Sequence, residues 1–139
     1  LRSVALQRRH LVFFERGTGA RSYASPVRPH LLSWQWEQYP QGHRSRYNLL
    51  VHAATVPLFV GGVLSTAASP WLGAPSLLGA ALLPIAMAAQ GRGHRREAVP
   101  PVPFAGPLDV ILRIFSEQLI NFPRFVLSGE FSRAWRRAG

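Results

Sequence analysis

The chain contains no cysteine and no lysine, and only six acidic residues against sixteen arginines. Without cysteine there are no disulfides and no thiolate metal sites, so histidine and carboxylate are the strong ligands left, and the redox compartment is not defined. The formal charge of +10 points to an anionic partner such as nucleic acid, phospholipid or a carboxylate substrate. No G-x-S-x-G elbow, G-x-G-x-x-G or P-loop occurs, which excludes the hydrolases and nucleotide-cofactor enzymes built on those motifs. The arginines flank apolar segments and form no stripe, and no nucleic-acid motif is found, so nucleic acid is not expected as a partner. No ionised side chain stands between Arg46 and Arg92.

A chain of 139 residues allows one domain. Residues 1–30 hold six arginines, the single acid Glu15 and one brief apolar run, Leu11 to Phe14. They are expected to form a basic disordered tail, arginine-rich and acid-poor like an organellar transit peptide, that carries His10 and His30. Residues 31–139 are expected to form one helical membrane domain. Its opening stretch, LLSWQWEQY from Leu31 to Tyr39, has the amphipathic rings of a membrane-water boundary or of a small helix packed on the core. Tyr39 to Gly42 is a turn signal, with a helix starting near Ser45 as its N-cap.

Leu49 to Ala68 and Trp71 to Ala89 are uncharged, and each is long enough, at about 20 residues, to cross a hydrocarbon core of ~30 Å. Glycine, alanine and serine permit close backbone approach, and Pro57 and Pro84 are tolerable as kinks. The fold class is therefore all-α, a membrane helical hairpin with a C-terminal amphipathic helix and flanking interfacial segments; a buried hairpin in a soluble protein is the alternative. Arginines flank both outer ends and none lies in the connecting turn, which places both ends in the cytoplasm. Gly91 to Pro107, with four prolines, is expected to be an extended loop carrying His94 and Glu97. From Pro107 a helix follows with apolar Leu108, Ile111, Leu112, Phe115, Leu119, Phe122 and Val126 at steps of three and four, and Asp109, Arg113, Glu117, Asn121 and Arg124 opposite. Pro123 should kink or end it, and its charges fit a helix at the interface or closed over a site. The tail from Phe131 is expected to touch headgroups.

Asn48 and His52, four apart, share a helix face. The turn at Gly42 lets His43 fold back, and His94 arrives from the loop after the hairpin, so three imidazoles can meet at one mouth, a donor set suited to iron, zinc or copper. His52 is the strongest single candidate, because a titratable group inside an apolar span is costly. Glu97 beside Arg95 and Arg96, and Glu117 one turn from Arg113, equally fit plain ion pairs.

His43, Asn48, His52 and Pro57, as H-x4-N-x3-H-x4-P entering an apolar helix, followed by Gly93, His94 and Glu97 as G-H-x-x-E, resemble the Mpo-like family of small membrane proteins. The resemblance spans Trp36 to Gly129, and the compact middle and all-arginine basic set fit a bacterial branch. Two departures stand out: the family has adjacent histidines where this chain has His43 followed by Arg44, and its glutamate falls four residues after the G-H histidine, not three as Glu97 does. The characterised fungal member is an iron(II)-dependent dioxygenase of the endoplasmic reticulum acting on 2-hydroxy fatty acids. The resemblance thus implies an integral protein of a bacterial inner membrane, with 2-hydroxy fatty acid and dioxygen as substrates. It also implies Fe(2+) held by His43, His52 and His94. Arg44, Arg95 or Arg96 would pair with the substrate carboxylate, and Asn48, Glu97 and Glu117 would support the catalytic site. The competing expectation is a lipid-binding scaffold whose histidines and arginines only anchor headgroups.

Overall fold

The computed structural model describes residues 30–138. His10 and the rest of the expected basic tail up to residue 29 lie outside these residues. Among the described residues every regular element is helical and no strand occurs, in keeping with an all-α chain.

Helix α1, Leu31–Gln38, runs into a 3-10 turn at Tyr39–Gln41. After an extended link comes α2, Arg46–Ala67, unbroken through Pro57. A short α3, Ser69–Leu72, turns the chain. The return path is a 3-10 helix, Ala74–Ala81, followed by α4, Leu82–His94. The single apolar helix expected from Trp71 to Ala89 is thus divided. Pro75 opens the 3-10 segment and Pro84 sits in the first turn of α4, positions where a missing amide costs little. The 3-10 helix stretches the return strand of the hairpin to about 35 Å, against about 33 Å for α2. Close approach of the two arms depends on glycine: a Cβ at Gly62 would lie 2.6 Å from the Gly79 carbonyl oxygen, and one at Gly79 2.6 Å from Ser65 Cβ.

Both arms are long and apolar enough to cross a membrane. Leu50, Leu58, Leu64, Leu78 and Ile85 are exposed on their outer faces.

His94 proves to be the last residue of α4 and not part of a loop. The glycines around it do not stop the helix because Gly93 is buried against Asn48, so packing replaces what propensity lacks, and the helix-breaking prolines come only at Pro100. From Glu97 to Gly106 the chain is irregular, and Arg113 straps it down by donating to the carbonyls of Val102 and Pro103 at 2.9 and 3.2 Å. Asp109 accepts from the Ala105 amide at 2.9 Å and stands 3.5 Å from the Arg113 guanidinium.

Pro123, expected to kink or end the helix that starts with α5, Pro107–Ser116, distorts it without ending it. A π-helical stretch, Glu117–Asn121, carries it into α6, Phe122–Leu127. The wider π turn relieves proline's clash with the preceding turn and its missing donor, so the helix swells instead of breaking. Through α5 and the π turn the faces are inverted relative to a water-soluble protein: Asp109, Arg113, Gln118 and Asn121 are buried, while Leu108, Ile111 and Leu119 are exposed; in α6 the order is the ordinary one, with Phe122 and Phe125 buried and Arg124 exposed. After Gly129, left-handed at φ 76°, comes α7, Glu130–Arg137. It docks on the core formed by Tyr39, Leu49, Val56, Phe122 and Phe125, burying Ala134 and packing Phe131 and Trp135 beside them. The tail expected to lie at headgroups is therefore packed on the protein, with Arg46 over the Trp135 ring at 5.6 Å.

Candidate metal centre

Four side chains from four parts of the chain meet at the open end of the hairpin: His43 from the link before α2, His52 from its second turn, His94 from the end of α4 and Glu117 from the π turn. One ligand atom from each lies within 4.8 Å of all the others.

Local backbone geometry sets how the imidazoles face. Nδ1 of His43 is 2.8 Å from the carbonyl oxygen of Tyr39, and Nδ1 of His52 is 3.0 Å from that of Asn48. A carbonyl only accepts, so both Nδ1 atoms donate, and Nε2 in each ring keeps its lone pair. Both Nε2 atoms, and Nδ1 of His94, are buried without a hydrogen-bond partner. His43 is 3% exposed and His52 0%. Three orphaned acceptors at one point are costly. Glu117 adds an anion, its Oε1 lying 3.3 Å from His52 Nε2 and 3.8 Å from His43 Nε2. Metal bonds of about 2.1 Å separate neighbouring ligand atoms by roughly 3.0 to 3.4 Å, so the His52 contact already has the spacing for a shared ion and the wider pairs would draw together around it. A proton on His52 satisfies one contact; a divalent cation satisfies all four groups. The residues present thus fit a metal ion, and an N3O donor set suits a borderline transition metal.

Charge at the site is arranged accordingly. Burial, with charge at His52, pushes His43 down from its ordinary 6.5 to about 3, which keeps this imidazole neutral. Burial raises the Glu117 carboxyl, but the adjacent imidazoles, His52 foremost, outweigh it and hold the group at about 2, ionised. Burial and the Glu117 carboxylate push the Tyr39 phenol well above its ordinary range.

Behind the ligands lies a layer of amides. Gln90 and Gln118 bond each other reciprocally at 3.0 and 2.7 Å, and Gln90 also donates to Thr55 Oγ1 at 3.0 Å. Thr55, Gln90 and Gln118 stand on the three elements that carry His52, His94 and Glu117, so this layer fixes the ligands' spacing. The Tyr39 ring stacks on His43 with centroids 4.0 Å apart.

Of the sequence-derived candidates, His43, His52, His94 and Glu117 come together. Glu117 stands against the imidazoles themselves and does not pair with Arg113, which is engaged by Asp109 and the strap. Asn48 holds His52 through its carbonyl, while its side-chain amide donates to Gly42 O at 2.9 Å and Glu97 Oε1 at 2.8 Å. Glu97 is outside the cluster. Its carboxylate accepts from the amides of Arg44 and Ser45 at 3.0 to 3.2 Å and so pins the chain just ahead of α2 from across the fold; Ser45 stands at the N-cap position as expected, but its side chain makes no cap bond. It does not pair with Arg95 or Arg96; Arg96 lies over the Tyr47 ring at 4.3 Å. Arg44 is exposed on the far side of His43, beside α7. Arg95 borders a cleft leading to the cluster. His30 is the left-handed residue before α1 and stands apart from the cluster.

Tyr39, Thr55, Gln90 and Gln118 escaped the sequence reading. Their signal was spacing: Tyr39 four before His43, Thr55 three after His52, Gln90 four before His94 and Gln118 next to Glu117.

Two clefts reach both His94 and Glu117. A small one of about 140 Å³ is bordered by Tyr39, Gln38, Val102, His94 and Glu117. A larger one of about 490 Å³ runs between α4 and α5. Among known proteins, no family model, no curated protein and no solved structure matches this chain.

Proposed function

We propose that the chain is a membrane-embedded iron(II)-dependent dioxygenase that shortens 2-hydroxy fatty acids by one carbon. The observation that carries this reading is the meeting of two buried imidazoles and a half-buried one, each with an unpartnered ring nitrogen, and one carboxylate. A scaffold that only anchors headgroups has no use for such a set, which costs stability unless a cation fills it.

His43, His52, His94 and Glu117 would hold the ion. When bound, iron(II) supplies Lewis acidity and reducing equivalents toward dioxygen, with room left for a chelating hydroxy acid. The reaction balances without a further reductant: R–CHOH–COOH and O2 give R–COOH, CO2 and H2O, four electrons passing from the acid to dioxygen. A nucleotide site is then unnecessary. The carbonyls of Tyr39 and Asn48 hold two imidazoles in the tautomer that presents Nε2 inward. Phe122 and Phe125 lie against the rings of His52 and His43 and keep water from that side. Arg95, next to His94, is the arginine placed to pair with a carboxylate at the cleft.

In this reading the hairpin spans a bacterial inner membrane with its arginine-flanked ends in the cytoplasm. The inverted faces of α5 and the π turn support it, since lipid favours apolar residues outside and polar ones within.

The test is metal analysis of protein purified anaerobically in mild detergent. Near-stoichiometric iron is expected in wild type and in His10→Ala, and its loss in His52→Ala. Oxygen uptake on adding a 2-hydroxy fatty acid should follow the iron. Wild type that binds no metal even when supplied with iron(II) overturns the proposal in favour of the scaffold.

A further inference from the structure

The larger cleft is a groove between α4 and α5. Met87, Gly91 and His94, at steps of four and three, line it along one face of α4, and Ile114 and Glu117 line it from α5 and the π turn. From His94 to Met87 is seven residues of helix, so the groove descends about 10 Å from the cluster toward the middle of the hairpin. Its chemistry changes along the way. Arg95, His94 and Glu117 occupy the upper end; lower down, Met87 and Ile114 line it with Phe104 of the strap, and the polar Gln90 and Arg113 there are tied up by Gln118 and by the strap carbonyls. On α5, Ile111 and Leu108, one and two turns before Ile114, are exposed and apolar.

Gly91 decides the bore. A Cβ built there meets nothing within 4 Å, whereas one at the neighbouring Gly93 runs into Asn48. Gly91 thus has no packing reason to be glycine, and the helix pays its usual conformational cost for an empty volume beside His94.

We infer that this groove is the berth of the substrate's acyl chain, entered sideways between α4 and α5 from the apolar surroundings, and that Gly91 keeps its passage open beside the cluster. The inference rests on the hydroxy-acid reading of the site and adds where the chain lies. The carboxylate and hydroxyl sit at the cluster near Arg95, and the hydrocarbon runs down past Gly91 toward Met87. The chain is then held between α4 and the α5 helix and not along the outside of the hairpin.

The experiment uses the full chain in nanodiscs, with 2-hydroxyhexadecanoate and 2-hydroxyoctanoate as probes, their affinities read by displacement of a fluorescent fatty acid. In wild type the longer acid should bind more tightly, each additional buried methylene contributing about fourfold. Gly91→Phe fills the groove and should weaken 2-hydroxyhexadecanoate at least tenfold while bound iron stays at the wild-type level. Gly61→Phe, at a glycine equally free of neighbours but on α2, should change neither. Met87→Trp, at the deep end, should shift preference toward the shorter acid, and serves as a second variant if Gly91→Phe does not fold. Unchanged long-chain affinity in an iron-replete Gly91→Phe protein overturns the assignment, as does wild-type affinity independent of chain length. Wild type that binds the long acid and responds to these substitutions but consumes no oxygen sinks the dioxygenase and leaves the berth standing.

Discussion

The side-chain amides of Gln90 and Gln118 close on each other head to tail, at 3.0 and 2.7 Å, with neither chain exposed by more than 2%. Each lies within one turn of a ligand, Gln90 below His94 and Gln118 beside Glu117, so the pair ties α4 to the π turn at the level of the cluster. Gln118→Leu leaves the Gln90 carbonyl buried and unpaired, at an expected stability cost of about 1–3 kcal/mol. It also frees Glu117 to drift, for which a 10- to 100-fold loss of metal affinity is the expected scale. Adding Gln90→Leu should restore most of the stability, since both polar partners are then gone, but not the affinity. Thermal unfolding and metal titration on the three variants separate these effects; recovery of affinity in the double variant would show that the pair does not position Glu117.

The two glutamates near the site should respond in opposite ways. Glu97→Gln weakens the carboxylate's hold on the amides of Arg44 and Ser45, and should cost about 1–2 kcal/mol of stability while sparing metal stoichiometry. Glu117→Gln removes the only anion among the four ligand groups, and should abolish metal binding. Equal metal content in the two variants would contradict the division of roles.

What the sequence makes legible follows from what is local. The two uncharged runs, the turn at Gly42 and the meeting of His43, His52 and His94 are all visible in spacing and composition. Glu97 and Glu117 were harder to separate, because both were within reach of an arginine along the chain. Only the tertiary structure shows that Glu97 reaches backbone amides 52 and 53 residues away. It also turns Arg113 toward the strap. The π turn is invisible to a 3.6-residue count: Pro123 signals a break, and whether the helix breaks or widens depends on packing across the turn. The inversion of α5 was hidden for a related reason. Its periodicity identifies two faces correctly, but the face that turns inward depends on whether water or lipid lies outside.

Close contact between the hairpin arms gives a prediction away from the chemistry. Gly62→Ala places a methyl group 2.6 Å from the Gly79 carbonyl oxygen and 2.7 Å from Leu83 Cδ1. Backbone cannot yield as a side chain can, so the arms must separate. A destabilisation of about 1–3 kcal/mol is expected, together with weaker metal binding, because α2 carries His52 and α4 carries His94. Gly61→Ala, one residue away and unobstructed, should be neutral or slightly stabilising. Detergent-solubilised unfolding curves for the two variants decide the matter, and indistinguishable curves would mean that the arms are not held this closely.

Acid should unfold the metal-free chain in two overlapping stages. His43 lies at about 3 when folded against 6.5 ordinarily, chiefly because it is buried, so between these values the unfolded chain takes up the proton that the folded chain refuses. The stability tied to a neutral His43 is therefore complete above about pH 6.5 and drains away as the pH falls toward 3. Glu117, at about 2 against 4.5, is held ionised in the folded chain by His52, and its contribution has the same sign, lost from about pH 4.5 downward. Unfolding midpoints measured without metal should stay level above pH 6.5 and begin to fall below it, before Glu117 contributes. His43→Gln should flatten the upper part of that fall and leave the lower part in place. With iron present the fall should be steeper, since protons then also compete with the ion for its ligands. A wild-type midpoint that holds level from pH 6.5 to pH 4.5 would mean that His43 is not kept neutral by the fold, and with it the tautomer assigned from the Tyr39 carbonyl would lose its support.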